Sequence, residues 1–139
     1  MKKKLSLVVV VFCWLPLMAG CGGGRYEDCI ALNDAFVQLM EEYVASLEKA
    51  AGPDEIAAAL DRLADGMEDL GPKMKKMAEK YPELKDKNNQ PEALKSSMEK
   101  AEEVGKKFAG TFMKVMPFMK DPKVQEAFKR AGNAMKTMT

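Results

Sequence analysis

Apolar residues recur along most of this chain at the alternating three- and four-residue spacing of an amphipathic helix. The clearest run has nine members: Ile56, Leu60, Leu63, Met67, Leu70, Met74, Met77, Tyr81 and Leu84. It passes through Gly71 and Pro72 without losing phase. We therefore expect one helix over about 54–81, kinked at the proline because an internal proline removes a backbone hydrogen bond. A break at Gly71 is the alternative.

Three further helices follow from the same spacing, over about 26–51, 91–116 and 122–138. In the first, apolar residues recur every seven positions from Cys29 to Ala50, and Asn33 interrupts the stripe. In the third, we expect the buried seam to contain Leu94, Met98, Ala101, Gly105, Phe108, Phe112, Val115 and Met119. Gly105 would let a neighbouring backbone or ring approach the helix closely.

Turn residues separate these helices. Gly52 ends the first and Pro53 begins the second, while Asp121 is the expected N-cap of the fourth. A polar loop over 85–90 precedes the third. Short connections make successive helices antiparallel, so the sequence predicts an all-α fold: a four-helix up-down bundle, or two packed helical hairpins.

Charge divides the chain into two parts. Residues 25–70 hold 3 basic and 12 acidic side chains, and residues 71–139 hold 16 basic and 9 acidic ones. We expect the acidic early helices to attract the basic late ones. A separate partner for each pole, with the basic face near anionic head groups, is the alternative.

The amino terminus has the layout of a secretory signal peptide. Three lysines at 2–4 precede an apolar run over 5–17, which is shorter than the ~20 residues that span a bilayer. Ala19 and Gly20 then stand immediately before Cys21. This segment resembles the lipobox of bacterial lipoproteins, with Met18 where that family prefers leucine. An ordinary signal peptide is the alternative.

The resemblance implies cleavage after Gly20 and attachment of diacylglycerol and an N-acyl chain to Cys21. It divides the chain into a signal peptide (1–20), a lipidated cysteine with a glycine-rich tether (21–25) and a helical bundle domain (26–139). The membrane would then be a partner through the lipid anchor. Because Gly22 replaces the Asp that retains lipoproteins at the inner membrane, the resemblance implies the periplasmic leaflet of the outer membrane in a Gram-negative host.

The chain offers little for catalysis. It has no histidine, which is the commonest general base and metal ligand. It has no Cys-x-x-Cys pair and no glycine-rich phosphate loop, and Ser46, Ser96 and Ser97 stand beside no activating base. We expect a non-catalytic protein without a dedicated cofactor, and an exported protein is not expected to bind nucleic acid.

Sulfur residues are the remaining candidates. Met74 and Met77 form one Met-x-x-Met pair, Met113, Met116 and Met119 form a triple, and Met135 with Met138 forms a third group. Thioethers suit Cu(I), and this spacing is similar to that of copper-handling proteins. Filling of an apolar core is the alternative.

Cys29 is expected to be a small buried residue or to form an intermolecular disulfide between two tethered copies. Taken together, the sequence favours a lipid-anchored structural or adaptor lipoprotein with an envelope protein partner. Small-ligand or Cu(I) binding through the methionine-rich helix faces is the alternative.

Overall fold

The computed structural model describes residues 24–86 and 91–137. Its helices are α1 (Glu27–Lys49), α2 (Pro53–Lys80), α3 (Glu92–Val115) and α4 (Pro122–Lys136). Short 3₁₀ turns cover Pro82–Lys85 and Met116–Phe118, and no strand occurs in these two ranges. The predicted all-α fold with four helices is confirmed.

The helix ends follow the predicted turn chemistry. The backbone N–H of Lys123 donates to Asp121 Oδ1 at 2.9 Å, which confirms Asp121 as the N-cap of α4. Helix α2 is continuous through Pro72, so the alternative of a break at Gly71 is wrong. Pro72 is exposed, and its missing hydrogen bond therefore falls on the solvent side of the helix. The polar loop starts later than predicted, because Lys85 still belongs to the 3₁₀ turn.

The chain reverses direction between α1 and α2 and again between α3 and α4, and the antiparallel α1–α2 hairpin lies at the centre of the bundle. Cross-helix contacts show that α3 runs parallel to α1: Asn33 meets Ser97 near their starts, and Lys114 reaches the Leu47 carbonyl near their ends. Helix α4 likewise runs parallel to α2, since Lys123 pairs with Asp54 at 2.5 Å and Arg130 pairs with Glu68 at 3.2 Å. The lateral order is therefore α3, α1, α2, α4. Helices α3 and α4 approach each other at the rings of Phe112 and Phe128.

The predicted attraction between acidic early helices and basic late ones is confirmed at several contacts. Arg130 of α4 reaches Asp65 at 2.5 Å and Asp61 at 3.6 Å on α2. Lys100 of α3 is 3.9 Å from Asp34 of α1. The Lys114 ammonium donates to the last carbonyls of α1, where the helix dipole favours a cation.

The tightly packed core lies where all four helices overlap. Its most buried large side chains come from every helix: Leu47, Leu60, Leu63, Val115 and Val124. These residues belong to the second half of α1, the first half of α2, the end of α3 and the start of α4. The core is thus displaced toward the end of the bundle that is remote from the start of α1.

The predicted seam of α3 is wrong at alternate positions. Met98 and Phe112 are exposed by 37% and 46%, whereas the buried side chains are Leu94, Ser97, Val104, Thr111 and Val115. At Ser97 this buried side of α3 faces α1, where the Asn33 amide donates a hydrogen bond to the Ser97 hydroxyl. A pattern of apolar residues alone misses such compensated polar positions.

The predicted close approach at Gly105 is also wrong, since a Cβ there would meet nothing within 4 Å. The close approach occurs at Gly66 of α2. A Cβ at Gly66 would overlap the two methyl groups of Leu39, at 2.7 Å for Cδ2. Gly66 therefore lets Leu39 of α1 pack directly onto the α2 backbone.

Candidate functional site

A groove opens at the end of the bundle where α4 no longer covers α2. Helix α4 has 15 residues and spans ~22 Å, against 28 residues and ~42 Å for α2. Lys123 and Arg130 of α4 pair with α2 between Asp54 and Glu68. The final turns of α2, which carry Met74 and Met77, are therefore flanked by α1, α3 and the 3₁₀ turn but not by α4.

This opening, which we call the sulfur groove, has a volume of about 320 Å³. Six of its lining residues define it: Cys29, Leu32, Met74, Met77, Leu94 and Met98. Four of these six carry sulfur and the other two are leucines. The groove is mostly apolar and open to solvent, as is typical of a ligand-binding cleft.

Two of the sulfur atoms are in contact. Cys29 Sγ on α1 lies 3.8 Å from Met77 Sδ on α2. Met74 is one helical turn before Met77 and therefore shares its face. Met98 reaches the groove from α3 and is exposed by 37%, so solvent has access to this side. The antiparallel α1–α2 hairpin thus joins the predicted Met74–Met77 pair to Cys29, which the sequence treated separately.

The surroundings of Cys29 keep its thiol protonated. Burial raises the pKa of the Cys29 thiol, and the negative charge of Asp28 raises it further. Cys29 is half-buried and is the only free cysteine of the described residues. The proposed intermolecular disulfide at Cys29 stays a prediction; the thiol faces Met77 within its own chain.

A polar cluster fastens the start of α1 to the end of α2, beside the sulfur groove. The Tyr81 hydroxyl donates to the Arg25 carbonyl oxygen at 2.7 Å and to Asp28 Oδ1 at 3.1 Å. Lys80 also pairs with Asp28, and its hydrogen bond lowers the pKa of that carboxyl. Arg25 pairs with Glu83 of the 3₁₀ turn at 3.0 Å. These contacts hold the residues next to the predicted tether against the bundle.

The predicted methionine triple lies at the opposite end of the molecule. Met113 and Met116 are exposed by 75% and 52%, while Met119 packs partly buried against the core. Phe112, exposed by 46%, adjoins them and contacts the Phe128 ring at a centroid distance of 6.2 Å. We call Phe112, Met113 and Met116 the α3 patch. The α3 patch is therefore separate from Met74 and Met77, which line the sulfur groove at the other end of the bundle.

Met135 is half-buried against the core, and Met138 lies outside the described residues, as do the predicted signal peptide (1–20) and Cys21. Sequence reasoning missed Met98 as a companion of Met74 and Met77. The available signal was its position near the start of the third helix together with the antiparallel course of the first two. Deciding which side of α3 it occupies required the three-dimensional packing.

Within residues 24–86 and 91–137, no group of three or more Cys, Asp or Glu side chains could hold a metal ion. In the same ranges, no helix is both long enough and apolar enough to cross a membrane. Comparison of the chain with protein-family models, with curated proteins and with solved structures finds no match.

Proposed function

We propose that this protein is an exported bacterial lipoprotein whose helical bundle is a non-catalytic binding module, held at the membrane through Cys21. The lipobox-like residues before Cys21 are the main support. The structure adds that the first described residues, from Gly24, are fastened to the bundle by Tyr81 and Glu83. Gly24 is three positions after Cys21, and three residue steps reach at most ~10 Å. Lipidation would therefore hold this end of the bundle close to the bilayer.

The single observation that favours an adaptor role is the position of the α3 patch. Phe112, Met113 and Met116 lie at the end of α3, which runs parallel to α1 and away from the tether. Helix α1, at 23 residues, spans ~35 Å. An apolar patch at that distance from the anchor would face an envelope protein rather than the membrane surface. We propose a periplasmic protein with a complementary apolar surface as its partner.

The anchor is tested by comparing Cys21→Ser with Cys29→Ser in cells labelled with a palmitate analogue. The Cys21 variant should lose the label and leave the membrane fraction, whereas the Cys29 variant should keep both. Globomycin should cause the precursor to accumulate. Membrane fractionation of the unlabelled Cys21→Ser variant, or no precursor build-up, would contradict the proposal.

The partner surface is tested by photo-crosslinking in cells, with a photoreactive residue placed at Met113 or, as a control, at exposed Ala35 on α1. One defined crosslinked protein should appear from position 113 and be absent from position 35. It should disappear when Met116→Glu is added, but remain with Ala93→Glu. Equal labelling from both positions would contradict an adaptor role for the α3 patch.

A further inference from the structure

The sulfur groove is lined by an unusually large number of sulfur-containing side chains. Its sulfur atoms come from three helices: Cys29 on α1, Met74 and Met77 on α2, and Met98 on α3. We propose that these four residues form a Cu(I) site, with Cys29 and Met77 as its central ligands. The proposal does not depend on the lipid anchor or on the α3 patch.

The separation of the two central sulfurs matches the geometry of a metal site. An ion with metal–sulfur bonds of about 2.3 Å and a tetrahedral angle holds two sulfur ligands about 3.8 Å apart. Cys29 Sγ and Met77 Sδ are 3.8 Å apart in the folded chain. In the resting protein the Cys29 thiol donates to the Met77 thioether across this distance, and an ion that replaces the thiol proton would need the same separation of the two sulfurs.

Two further methionines, Met74 and Met98, line the same groove and carry soft thioether sulfurs. Met74 lies one turn before Met77 on the same face of α2, and Met98 lines the groove from the opposite helix. A methionine side chain has three rotatable bonds and can carry its thioether across a short gap. Met74 and Met98 are thus candidates for a third and a fourth sulfur ligand, since both line the same groove as Cys29 and Met77.

The ligand types in the groove favour Cu(I) over magnesium, calcium and zinc. Thiolate and thioether ligands favour Cu(I), whereas magnesium and calcium need oxygen ligands and structural zinc needs several cysteines or histidines. The chain has no histidine. Asp28, the neighbour of Cys29, is already engaged by Lys80 and Tyr81. The ligand set therefore suits a soft monovalent ion and disfavours harder divalent ones.

The charge of Cu(I) would be neutralised by the Cys29 thiolate. Binding replaces the Cys29 proton by Cu(I), so that the thiol and the ion become a neutral thiolate–copper unit and one proton leaves to solvent. No electron is transferred. A neutral product suits an apolar groove, since an isolated charge is costly to bury there. Because the ligand must lose its proton, the affinity should rise with pH while the thiol remains the resting form.

The test is an anaerobic Cu(I) titration of the mature protein, in competition with a chromogenic chelator. The protein is purified from whichever cell fraction holds it, so a failed lipid anchor does not affect the result. The wild type should bind one Cu(I) per chain more tightly than micromolar. Its affinity should rise about tenfold per pH unit, the dependence expected for release of one proton. X-ray absorption should show a shell of sulfur ligands only.

Matched variants assign the ligands. Cys29→Ala should weaken Cu(I) binding by about 100-fold or more, and Met77→Leu, which preserves side-chain volume, by at least about tenfold. The control Met113→Leu/Met116→Leu removes the same kind of atom from the α3 patch and should bind as the wild type does. Circular dichroism confirms that each variant is folded.

Three results would overturn the proposal. They are wild-type binding no tighter than micromolar, unchanged binding in folded Cys29→Ala, or loss of binding in the α3 patch control. The first would mean that Cys29 and the methionines around it only pack against one another. The last would move the copper site to the exposed methionines at the other end of the bundle.

Discussion

Asn33 on α1 and Ser97 on α3 are joined by two hydrogen bonds across the helix interface. The Asn33 amide Nδ2 donates to the Ser97 carbonyl oxygen and to its hydroxyl oxygen, each at 2.7 Å. Ser97 is only 4% exposed, so it has little access to solvent as an alternative partner. This contact turns the 97, 104 and 111 side of α3 toward α1 and leaves Met98 at the groove.

Removing the Asn33 amide should therefore destabilise the bundle. We expect Asn33→Ala to lower the free energy of unfolding by about 1–3 kcal/mol, because a buried hydroxyl and carbonyl lose their donor. Ser97→Ala should relieve part of this loss in the double variant. Urea denaturation of the four proteins measures the coupling, and Ser96→Ala, on the exposed neighbour, is the control. Strictly additive effects would contradict a direct contact.

The two ends of the bundle should differ in their sensitivity to truncation. Leu47 is 0% exposed in the four-helix core, whereas Leu84 is half-buried beside the groove. Leu47→Ala should lower the free energy of unfolding by about 2–5 kcal/mol, and Leu84→Ala should cost much less because the groove is already open. Similar losses in chemical denaturation would mean that the groove end is packed as tightly as the core.

The Tyr81 hydroxyl should hold the start of α1 in place. Tyr81→Phe removes its hydrogen bonds to Arg25 and Asp28 and should lower the free energy of unfolding by about 1 kcal/mol. The local effect should be larger, with faster hydrogen exchange at the Ile30 amide near the start of α1. The Ile56 amide, near the start of α2, is the internal control and should be unaffected.

Asp28 should make stability depend on pH in the acid range. Its pKa lies below the ordinary value of 3.8, chiefly because Lys80 hydrogen-bonds to the carboxylate. A carboxyl whose pKa is lowered by folding stabilises the protein above its unfolded pKa, and that stabilisation is lost as the pH falls through the folded pKa. The difference in Tm between wild type and Asp28→Asn should therefore be full at pH 6 and shrink below about pH 4.

Lys80→Met tests the origin of that effect, since it removes the partner of Asp28 without changing the carboxyl itself. In its background, the Asp28→Asn substitution should alter the acid dependence of Tm much less. An undiminished acid dependence would place the pH-sensitive contact elsewhere in the bundle.

Arg130 should attach α4 to α2 in a salt-dependent manner. It lies within 4 Å of Asp61, Asp65 and Glu68, and all four side chains are at least 40% exposed. Arg130→Met should lower Tm at low ionic strength because three carboxylates on one helix face lose their counter-charge. The deficit should shrink in 1 M salt, which screens exposed charges. Lys129→Met, on its exposed neighbour, is the control.

Much of the fold follows from local features of the chain. The 3-and-4 spacing from Ile56 to Leu84 was unbroken, and α2 is correspondingly continuous through Pro72. Asp121 and Pro53 were correctly placed at helix starts, because capping and proline geometry act within one helical turn. Ion pairs between residues four apart on one helix are equally local, and Glu102–Lys106 and Glu103–Lys107 form at 2.9 and 3.3 Å.

Contacts between helices were harder to predict from the sequence. Two equally regular stripes share Leu94, Ala101, Phe108 and Val115 on α3, and they differ only in the residues between them. The sequence favoured the more apolar stripe, with Met98 and Phe112. The structure buries Ser97 and Thr111 instead, since the Asn33 amide and the Phe108 carbonyl satisfy their hydroxyls. A pattern of apolar residues shows neither a hydrogen bond to another helix, as at Ser97, nor one to a carbonyl of the same helix, as at Thr111.

The sequence by itself determined how many helices form, where they begin and end, and which positions carry sulfur, because these depend on neighbours within a few residues. Only the tertiary structure decided that α3 lies parallel to α1, and that α4 stops before the last turns of α2. Those two facts place Cys29 beside Met77 and open the groove around them. The physical reason is that helix packing depends on side-chain fit between distant segments, which local spacing does not encode.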